Sequence, residues 1–258
     1  MDDFDERHVK LAPANEDDRL VQINTLGNFQ VRVDGVPLSF RHKVPKKPLA
    51  VLKAVLALGT AGVCVHRVTD ALWPDLEADA AHVAFNMALH RLRKLLRNHG
   101  AIRLQDARVS ANPALCRVDI WEFERLAETC DARRREPENV LRSAFELYRG
   151  AFLADEEECW VIPARERLQE KFLRVLSNCC GRLEELDRWE EALDFYHQAI
   201  ELNESVELFY YNAIRATVRL NRKAEGLALY HRLQSTLRPP YSHSSRVEFD
   251  CLLRQLLS

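Results

Sequence analysis

Ala80–Arg97 reads AAHVAFNMALHRLRKLLR, and this stretch predicts one long helix with two different faces. Apolar residues recur at three- and four-residue spacing through Phe85, Leu89 and Leu92, the period of a buried helix face. Asn pairs well with adenine edges, Arg pairs well with guanine edges, and Arg and Lys also hold phosphates. A cationic helix face is usually only solvated, so its surroundings decide its meaning. The polar face carries His82, Asn86, His90, Arg93 and Arg97, flanked by Arg91 and Lys94.

Charge is spread unevenly along the chain. The formal net charge of −2 argues weakly against a nucleic-acid partner. Residues 20–115, however, carry 13 basic and 6 acidic side chains, whereas residues 116–258 carry 21 basic and 26 acidic ones. A basic module beside an acidic one is expected when one half of a protein meets a polyanion and the other half does not.

The first half of the chain predicts an α+β winged helix-turn-helix domain over residues 20–116. Alternating residues in Leu20–Phe40 predict strands, with a hairpin signal at Asp34-Gly35. In such a domain the third helix enters the major groove, and the hairpin that follows it (the wing) reaches a neighbouring groove or the backbone. The other predicted elements are helices over Pro48–Leu58 and His66–Leu72, the long helix, and a β-hairpin around Gln105–Ala107.

Residues 117–258 predict an all-α domain with an internal repeat. Tyr196-His197 and Tyr230-His231 lie 34 residues apart, and 34 residues is the period of the tetratricopeptide repeat. The sequence therefore predicts a tetratricopeptide-like helical domain. The same offset relates Leu186 to Leu220, Arg188 to Arg222, Glu191 to Glu225 and Leu193 to Leu227.

Several functional classes find no support in the sequence. It contains no Walker lysine motif, GxGxxG, GxSxG or HExxH, so we expect neither catalysis nor a cofactor nor a metal. The seven cysteines form no CxxC pair, which favours a reducing, cytoplasmic setting. No apolar run approaches the ~20 residues that a membrane helix needs. Residues 1–19 are acidic, lack the apolar stretch of a secretory signal, and predict a mobile tail.

Several motifs, in the right order, resemble the bacterial transcriptional activator domain proteins. The segments LVQINTLGNFQVRVDGVPLSF, KKPLAVLKAVLA, DALWPD and ALHRLRKLL resemble the winged-helix half of these proteins. The segments VDIWEFERL, LYRGAFL and DRWEEALDFYHQAIELN resemble their helical half. Among them, the chain is most similar to the Streptomyces antibiotic regulatory proteins, and the resemblance covers roughly residues 20–258.

This resemblance implies a transcriptional activator that binds double-stranded promoter DNA, often as a homodimer on direct repeats, and recruits RNA polymerase. HRLRK matches the recognition helix of the family, which places His90, Arg91 and Arg93 against bases or phosphates, with Asn86 one turn earlier. Arg108 matches the wing, and the residues before the first helix match a phosphate-binding helix start. The complete set of DNA-binding residues expected on these grounds is Lys46, Lys47, Asn86, His90, Arg91, Arg93, Lys94, Arg97 and Arg108.

Two alternatives remain open from the sequence. In one, the helical repeats hold a protein partner and the winged helix has lost its affinity for DNA. In the other, the repeats bind a small-molecule or nucleotide effector, and DNA binding depends on that effector. The charge of residues 20–115 argues against the first alternative, and the second is compatible with DNA binding. Aromatic residues that could line an effector site are Trp160, Tyr196, Tyr210, Tyr211 and Tyr230.

Deletion of residues 1–19 should leave DNA affinity unchanged or raise it. The segment holds 3 basic and 7 acidic side chains, so its removal takes away charge that repels a polyanion. Binding of the full chain and of the truncated chain to the same duplex, measured by fluorescence anisotropy, tests this expectation. A large loss of affinity on truncation would show that the segment orders part of the DNA-binding surface.

Overall fold

The computed structural model describes residues 20–40, 44–59, 62–129, 136–236, 249 and 251–254. The acidic tail predicted over residues 1–19 lies outside these ranges. The described chain forms two compact units. The first unit comprises the residues up to Trp121 together with Phe152–Glu166, and the second comprises Glu122–Ala151 and the residues from Arg167 onward.

The first unit opens with a sheet whose strand order is β3-β2-β1-β7. Strands β1 (Val21–Asn24), β2 (Gln30–Val33) and β3 (Val36–Pro37) pair antiparallel, with Val21 opposite Val33. The turn between β2 and β3 is Asp34-Gly35, as predicted. Both turn residues adopt left-handed backbone angles, with φ values of 51° and 78°, which match the twist of a two-residue hairpin.

The sequence did not reveal the fourth strand of this sheet. Strand β7 (Cys116–Val118) runs parallel to β1 and places Val118 opposite Ile23. Three residues are too few to show an alternating pattern. Because β7 leads directly into the next helix, its pairing brings the start of that helix to the end of β1.

Three helices follow the sheet and share an apolar core. They are α1 (Lys46–Leu58), α2 (Val65–Leu72) and α3 (Ala78–Leu95), and their buried residues include Leu52, Val68 and Phe85. After a short 3-10 turn at His99–Ala101, β5 (Ile102–Gln105) and β6 (Arg108–Ala111) form an antiparallel hairpin. The strand β4 (Val63–Cys64) joins the other edge of β6.

The helix predicted over Ala80–Arg97 is displaced by two residues. It starts at Ala78 and ends at Leu95, and Arg97 adopts a left-handed conformation with φ 50°. The placement of Arg97 on the polar helix face was therefore wrong. The chain has to reverse after α3 to enter the hairpin, and a left-handed residue just past a helix end makes that reversal.

One half-buried carboxylate, that of Asp119, joins the end of β1 to the start of α4 (Asp119–Thr129). The two oxygens of Asp119 accept hydrogen bonds from the backbone N–H of Thr25 and of Leu26, at 2.5 and 2.8 Å, and from the Thr25 hydroxyl at 2.7 Å. The backbone N–H of Ile120 donates a fourth bond. Burial raises the pKa of Asp119, and these hydrogen bonds oppose that rise.

Residues 152–166 pack with the first unit, although the sequence analysis assigned them to the helical domain. Phe152 forms an isolated antiparallel bridge with Leu26. Lys53 pairs with Glu156 at 2.6 Å. The Arg165 guanidinium donates to the carbonyls of Phe152, Leu153 and Glu156, which fixes the loop before α6 (Ile162–Glu185).

The second unit is helical. Besides parts of α4 and α6 it contains α5 (Pro137–Leu147), α7 (Trp189–Leu202), α8 (Glu207–Arg219) and α9 (Lys223–Thr236). Aromatic rings fill its core: Tyr148 stacks on Phe172 with centroids 4.4 Å apart, and Phe145 meets the same ring edge-on. No helix among the described residues is long and apolar enough to cross a membrane.

The 34-residue repeat has a counterpart in the backbone. Asp187 and Asn221, 34 positions apart, take left-handed angles with φ 59° and 57°. The N–H of Arg188 donates to the carbonyl of Leu183, and the N–H of Arg222 donates to the equivalent carbonyl of Thr217. The turns between α6 and α7 and between α8 and α9 therefore have matching geometry.

The buried cysteines of the described chain are structural. The Cys116 thiol donates to the carbonyl of Ala101, and burial raises its pKa to about 11. Cys179 and Cys180 are fully buried on α6, and burial also raises the pKa of Cys180. The thiols of Cys116 and Cys180 remain protonated at neutral pH, because the thiolate would lose its hydration.

Replacement of Asp119 by Ala should lower the free energy of unfolding of the first unit by about 2–4 kcal/mol, because it leaves two buried backbone N–H groups unpaired. Denaturant unfolding followed by tryptophan fluorescence measures this, since Trp73, Trp121 and Trp160 lie in the first unit. The control Asp155→Ala, at an exposed position, should change the stability by less than about 0.5 kcal/mol. Equal stabilities of the two variants would contradict this role of Asp119.

Candidate nucleic-acid interface

The solvent-facing side of α3 lies opposite its contacts with the core. Ala81, Phe85, Ala88, Leu89 and Leu92 are buried. The residues between them point outward because one helical turn takes 3.6 residues. The exposed residues along this side are Asp79, Val83, Asn86, Met87, His90, Arg91 and Lys94, which we call the outer face of α3.

The outer face changes character along the helix. Val83 and Met87, in its middle, are large apolar side chains that are 58% and 53% exposed. The cations Arg91 and Lys94 both lie in the second half. The outer face thus carries one carboxylate, Asp79, at its start, two apolar side chains in its middle and positive charge at its end.

Arg93 does not belong to this face. It is half-buried, and its Nε and Nη2 atoms donate to the carbonyl of Ile102 at 3.0 and 2.8 Å. Burial lowers the pKa of its guanidinium. Arg93 therefore connects α3 to the first residue of β5, a contact that residue spacing along the helix could not reveal.

A groove with a volume of about 890 Å³ runs between the end of α3 and the start of α1. Its apolar wall includes Leu38, Phe40 and Leu95. No carboxylate lies among the described residues that line it. Its charged residues are all cations, namely Lys46, Lys47, Arg91, Lys94 and Arg97, and we call this feature the basic groove.

Lys47 is the one groove cation with a hydrogen bond among the described residues. Its Nζ atom donates to the carbonyl of Leu72 at 2.6 Å and lies 5.1 Å from the centre of the Trp73 ring. It thereby supports the end of α2. The other four cations form neither a hydrogen bond nor an ion pair with any described residue, so their charge is available to an anion.

The start of α1 adds to this positive field. No side chain caps the helix at Pro45, and its first turn contains no acidic residue. The first peptide N–H groups of a helix carry partial positive charge and attract anions. Lys46 and Lys47 occupy this position, where helices usually favour acidic residues, so the charge of the groove is uncompensated at this end as well.

Arg108 lies on the β5–β6 hairpin, apart from the basic groove. Its side chain is exposed, and Nη2 donates to the carbonyl of Gly62 at 2.7 Å. Its Nη1 atom lies 3.6 Å from the Cys64 sulfur. Arg108 thus links β6 to the strand before α2 while its guanidinium stays near solvent.

The aromatic residues considered for an effector site differ in burial and in the unit to which they belong. Tyr196 and Tyr210 are 1% and 0% exposed and belong to the core of the second unit. The Tyr196 hydroxyl donates to Glu184, and burial raises the pKa of this phenol. Tyr211 and Tyr230 contact the Phe249 ring, whereas Trp160 belongs to the first unit.

Comparisons with known proteins agree with this architecture. Residues 118–244 match the sequence model of the family described as "Bacterial transcriptional activator domain". Residues 118–244 therefore carry this domain, which confirms the resemblance indicated by the motifs. No curated protein matches the chain.

The structure of EmbR from Mycobacterium tuberculosis, solved in complex with a low-affinity phosphopeptide, has a similar fold. The TM-score is 0.64 at 21% sequence identity, and the match covers 92% of this chain and 66% of EmbR. At this identity the match establishes the fold and carries no residue-level correspondence.

Among the residues expected to bind DNA, the structure brings two sequence regions together. Lys46 and Lys47 meet Arg91, Lys94 and Arg97 around the basic groove, across more than forty positions of sequence. Asn86 and His90 lie beside this cluster on the outer face, whereas Arg93 and Arg108 are bound to backbone carbonyls. No role was predicted for Val83 from the sequence, although its place on an otherwise polar helix face could have marked it.

Arg93→Ala should lower the free energy of unfolding of the first unit by about 1–2 kcal/mol, because it removes a charged donor from the half-buried Ile102 carbonyl. Arg91→Ala, two residues earlier and exposed, should leave it unchanged within about 0.5 kcal/mol. Denaturant unfolding followed by tryptophan fluorescence compares the two variants. If Arg93→Ala unfolds like the wild type, the contact with Ile102 contributes nothing to stability.

Proposed function

We propose that this protein is a sequence-specific transcriptional activator that binds promoter DNA through its first unit. In this proposal α3 enters the major groove and the β5–β6 hairpin serves as the wing of a winged helix-turn-helix domain. The observation that carries the proposal is the basic groove beside the outer face of α3. Within the described part of the chain, four of its cations have no side-chain partner and none of its lining residues is a carboxylate.

Electrostatics favours a polyanion as the partner of this surface. Four like charges around one groove repel one another, and the repulsion is relieved when an anion binds. Phosphates of a DNA backbone supply such anions at regular spacing, and their neutralisation releases counterions. Lys46, Arg91, Lys94 and Arg97 would then contact phosphates, while Asn86 and His90 would reach base edges.

The remaining expected cations have supporting roles in this proposal. Lys47 would hold α1 against the end of α2, and Arg93 would set the angle between α3 and the hairpin. Arg108 would stabilise the wing, and its exposed guanidinium would approach the phosphate backbone of the DNA. These three residues would influence DNA binding mainly through the shape of the surface.

The second unit would bind other proteins. The match to the family's sequence model and the matching turns of the 34-residue repeat support a tetratricopeptide-like domain that mediates homodimerisation or contacts RNA polymerase. The acidic balance of residues 116–258 makes this unit a poor partner for DNA. A regulator of this kind acts in the cytoplasm and, on this proposal, catalyses no reaction.

The full chain should bind duplex DNA with a steep dependence on salt. Selection from a random duplex pool at low salt should enrich one motif, and a repeat within it would report the dimer geometry. Each phosphate contact adds about 0.9 to the magnitude of the slope of log K against log[salt], so Lys46→Ala and Lys94→Ala should each reduce the slope by about that amount. Fluorescence anisotropy across a salt series gives these slopes.

Lys223→Ala is the matched control, because Lys223 is exposed on α9 and pairs with no described residue. It should leave the slope unchanged. No binding of the full chain at low salt would overturn the proposal and favour the alternative in which the first unit contacts protein. Equal slopes for wild type, Lys46→Ala and Lys94→Ala would move the DNA-binding surface away from the basic groove.

A further inference from the structure

The exposed apolar pair on α3 points to a specific mode of DNA readout. We propose that Val83 and Met87 recognise thymine methyl groups in the major groove, so that the preferred site contains thymine at two defined positions. This inference rests on the proposed DNA-binding function and deepens it, because it names the chemical groups that are read.

Folding alone does not account for these two side chains. Val83 and Met87 are more than half exposed in the middle of a helix whose buried face is already complete. Burying a large apolar side chain is favourable by about 1.5–3 kcal/mol, so leaving two of them in water forgoes a substantial gain. If a binding partner covers these side chains, their burial contributes this favourable free energy to binding.

The distribution of charge along α3 favours DNA bases as the groups that cover this pair. Arg91 and Lys94 in the second half of the helix join the basic groove, so the phosphate contacts lie at that end. In helix-turn-helix proteins the first residues of the recognition helix contact base edges. Val83 and Met87 are the sixth and tenth residues of this 18-residue helix, and both precede the exposed cations Arg91 and Lys94.

The chemistry of the major groove matches this arrangement. Thymine is the base that presents a methyl group there, and apolar side chains contact it. Adenine, the base paired with thymine, presents one acceptor and one donor there, and a side-chain carboxamide can form a hydrogen bond with each of them. Asn86 lies on the outer face between Val83 and Met87 in sequence, so one stretch of helix offers groups for both sides of an A·T pair.

The spacing of the two side chains predicts contacts to different base pairs. Residues four apart on a helix are separated by about 6 Å along its axis. Successive base pairs are about 3.4 Å apart. Val83 and Met87 therefore reach methyl groups on separate base pairs.

The test replaces thymine by deoxyuridine, which removes the methyl group and keeps every hydrogen-bonding group. Starting from the duplex motif selected by the full chain, each thymine is replaced in turn, and affinity is measured by anisotropy at fixed salt. We expect a loss of about fourfold at each of two positions, which corresponds to one buried methyl group. Val83→Ala should abolish the sensitivity at one position and Met87→Ala at the other, as in a double-mutant cycle.

Val36→Ala is the matched control, since Val36 is 66% exposed on β3, in the sheet before α1. This variant should retain both sensitivities to deoxyuridine. Thermal unfolding of all three variants should match the wild type, because each removes only exposed apolar atoms.

The possible results separate the two proposals. Binding of the wild type without any loss at a deoxyuridine position overturns the methyl readout and leaves DNA binding intact. Losses that persist unchanged in Val83→Ala and Met87→Ala assign the methyl contacts to other residues and also overturn the inference. Absence of any DNA binding at low salt overturns the proposed function itself.

Discussion

The burial of one face of α3 is the constraint on which the candidate interface depends. Phe85, Leu89 and Leu92 pack into the core of the first unit, so the rotation of the helix about its axis is fixed. That rotation decides which side chains face solvent and which flank the neighbouring elements. Asn86, Met87 and His90 face outward because they lie opposite the core residues. Arg93 lies toward the hairpin, where the carbonyl of Ile102 is the acceptor within reach.

Among the cations of the first unit, two groups have different physical roles. Lys47, Lys53, Arg93, Arg108 and Arg165 bind carbonyls or a carboxylate within the unit, and so connect segments distant in sequence. Lys46, Arg91, Lys94 and Arg97 have no such partner among the described residues. The first group stabilises the frame that keeps the second group close together. The net charge of −2 conceals this arrangement, since the acidic residues are concentrated elsewhere in the chain.

The first unit is completed by parts of the chain that lie far apart in sequence. Asp119 satisfies the backbone at the end of β1 across 94 positions. Residues 152–166 return after α5 and add the Phe152 bridge and the Lys53–Glu156 pair. A boundary drawn at residue 116 from composition alone therefore omits contacts that hold the unit together. The boundary predicted from the sequence still separates the basic part of the chain from the acidic part. The first unit, however, is built from two separate stretches of the chain.

The sequence by itself determined the features that depend on neighbouring residues. Helical periodicity predicted α3, Asp34-Gly35 predicted its hairpin, the 34-residue spacing predicted a helical repeat, and the ordered motifs indicated the family. The tertiary structure decided the pairing of β7 with β1, the binding of Arg93 to Ile102, the reversal at Arg97 and the meeting of Lys46 with Lys94. A local pattern records the conformation that a segment prefers, because its interactions span a few residues. Which distant groups meet depends on how those segments pack, and no spacing along the chain encodes that directly.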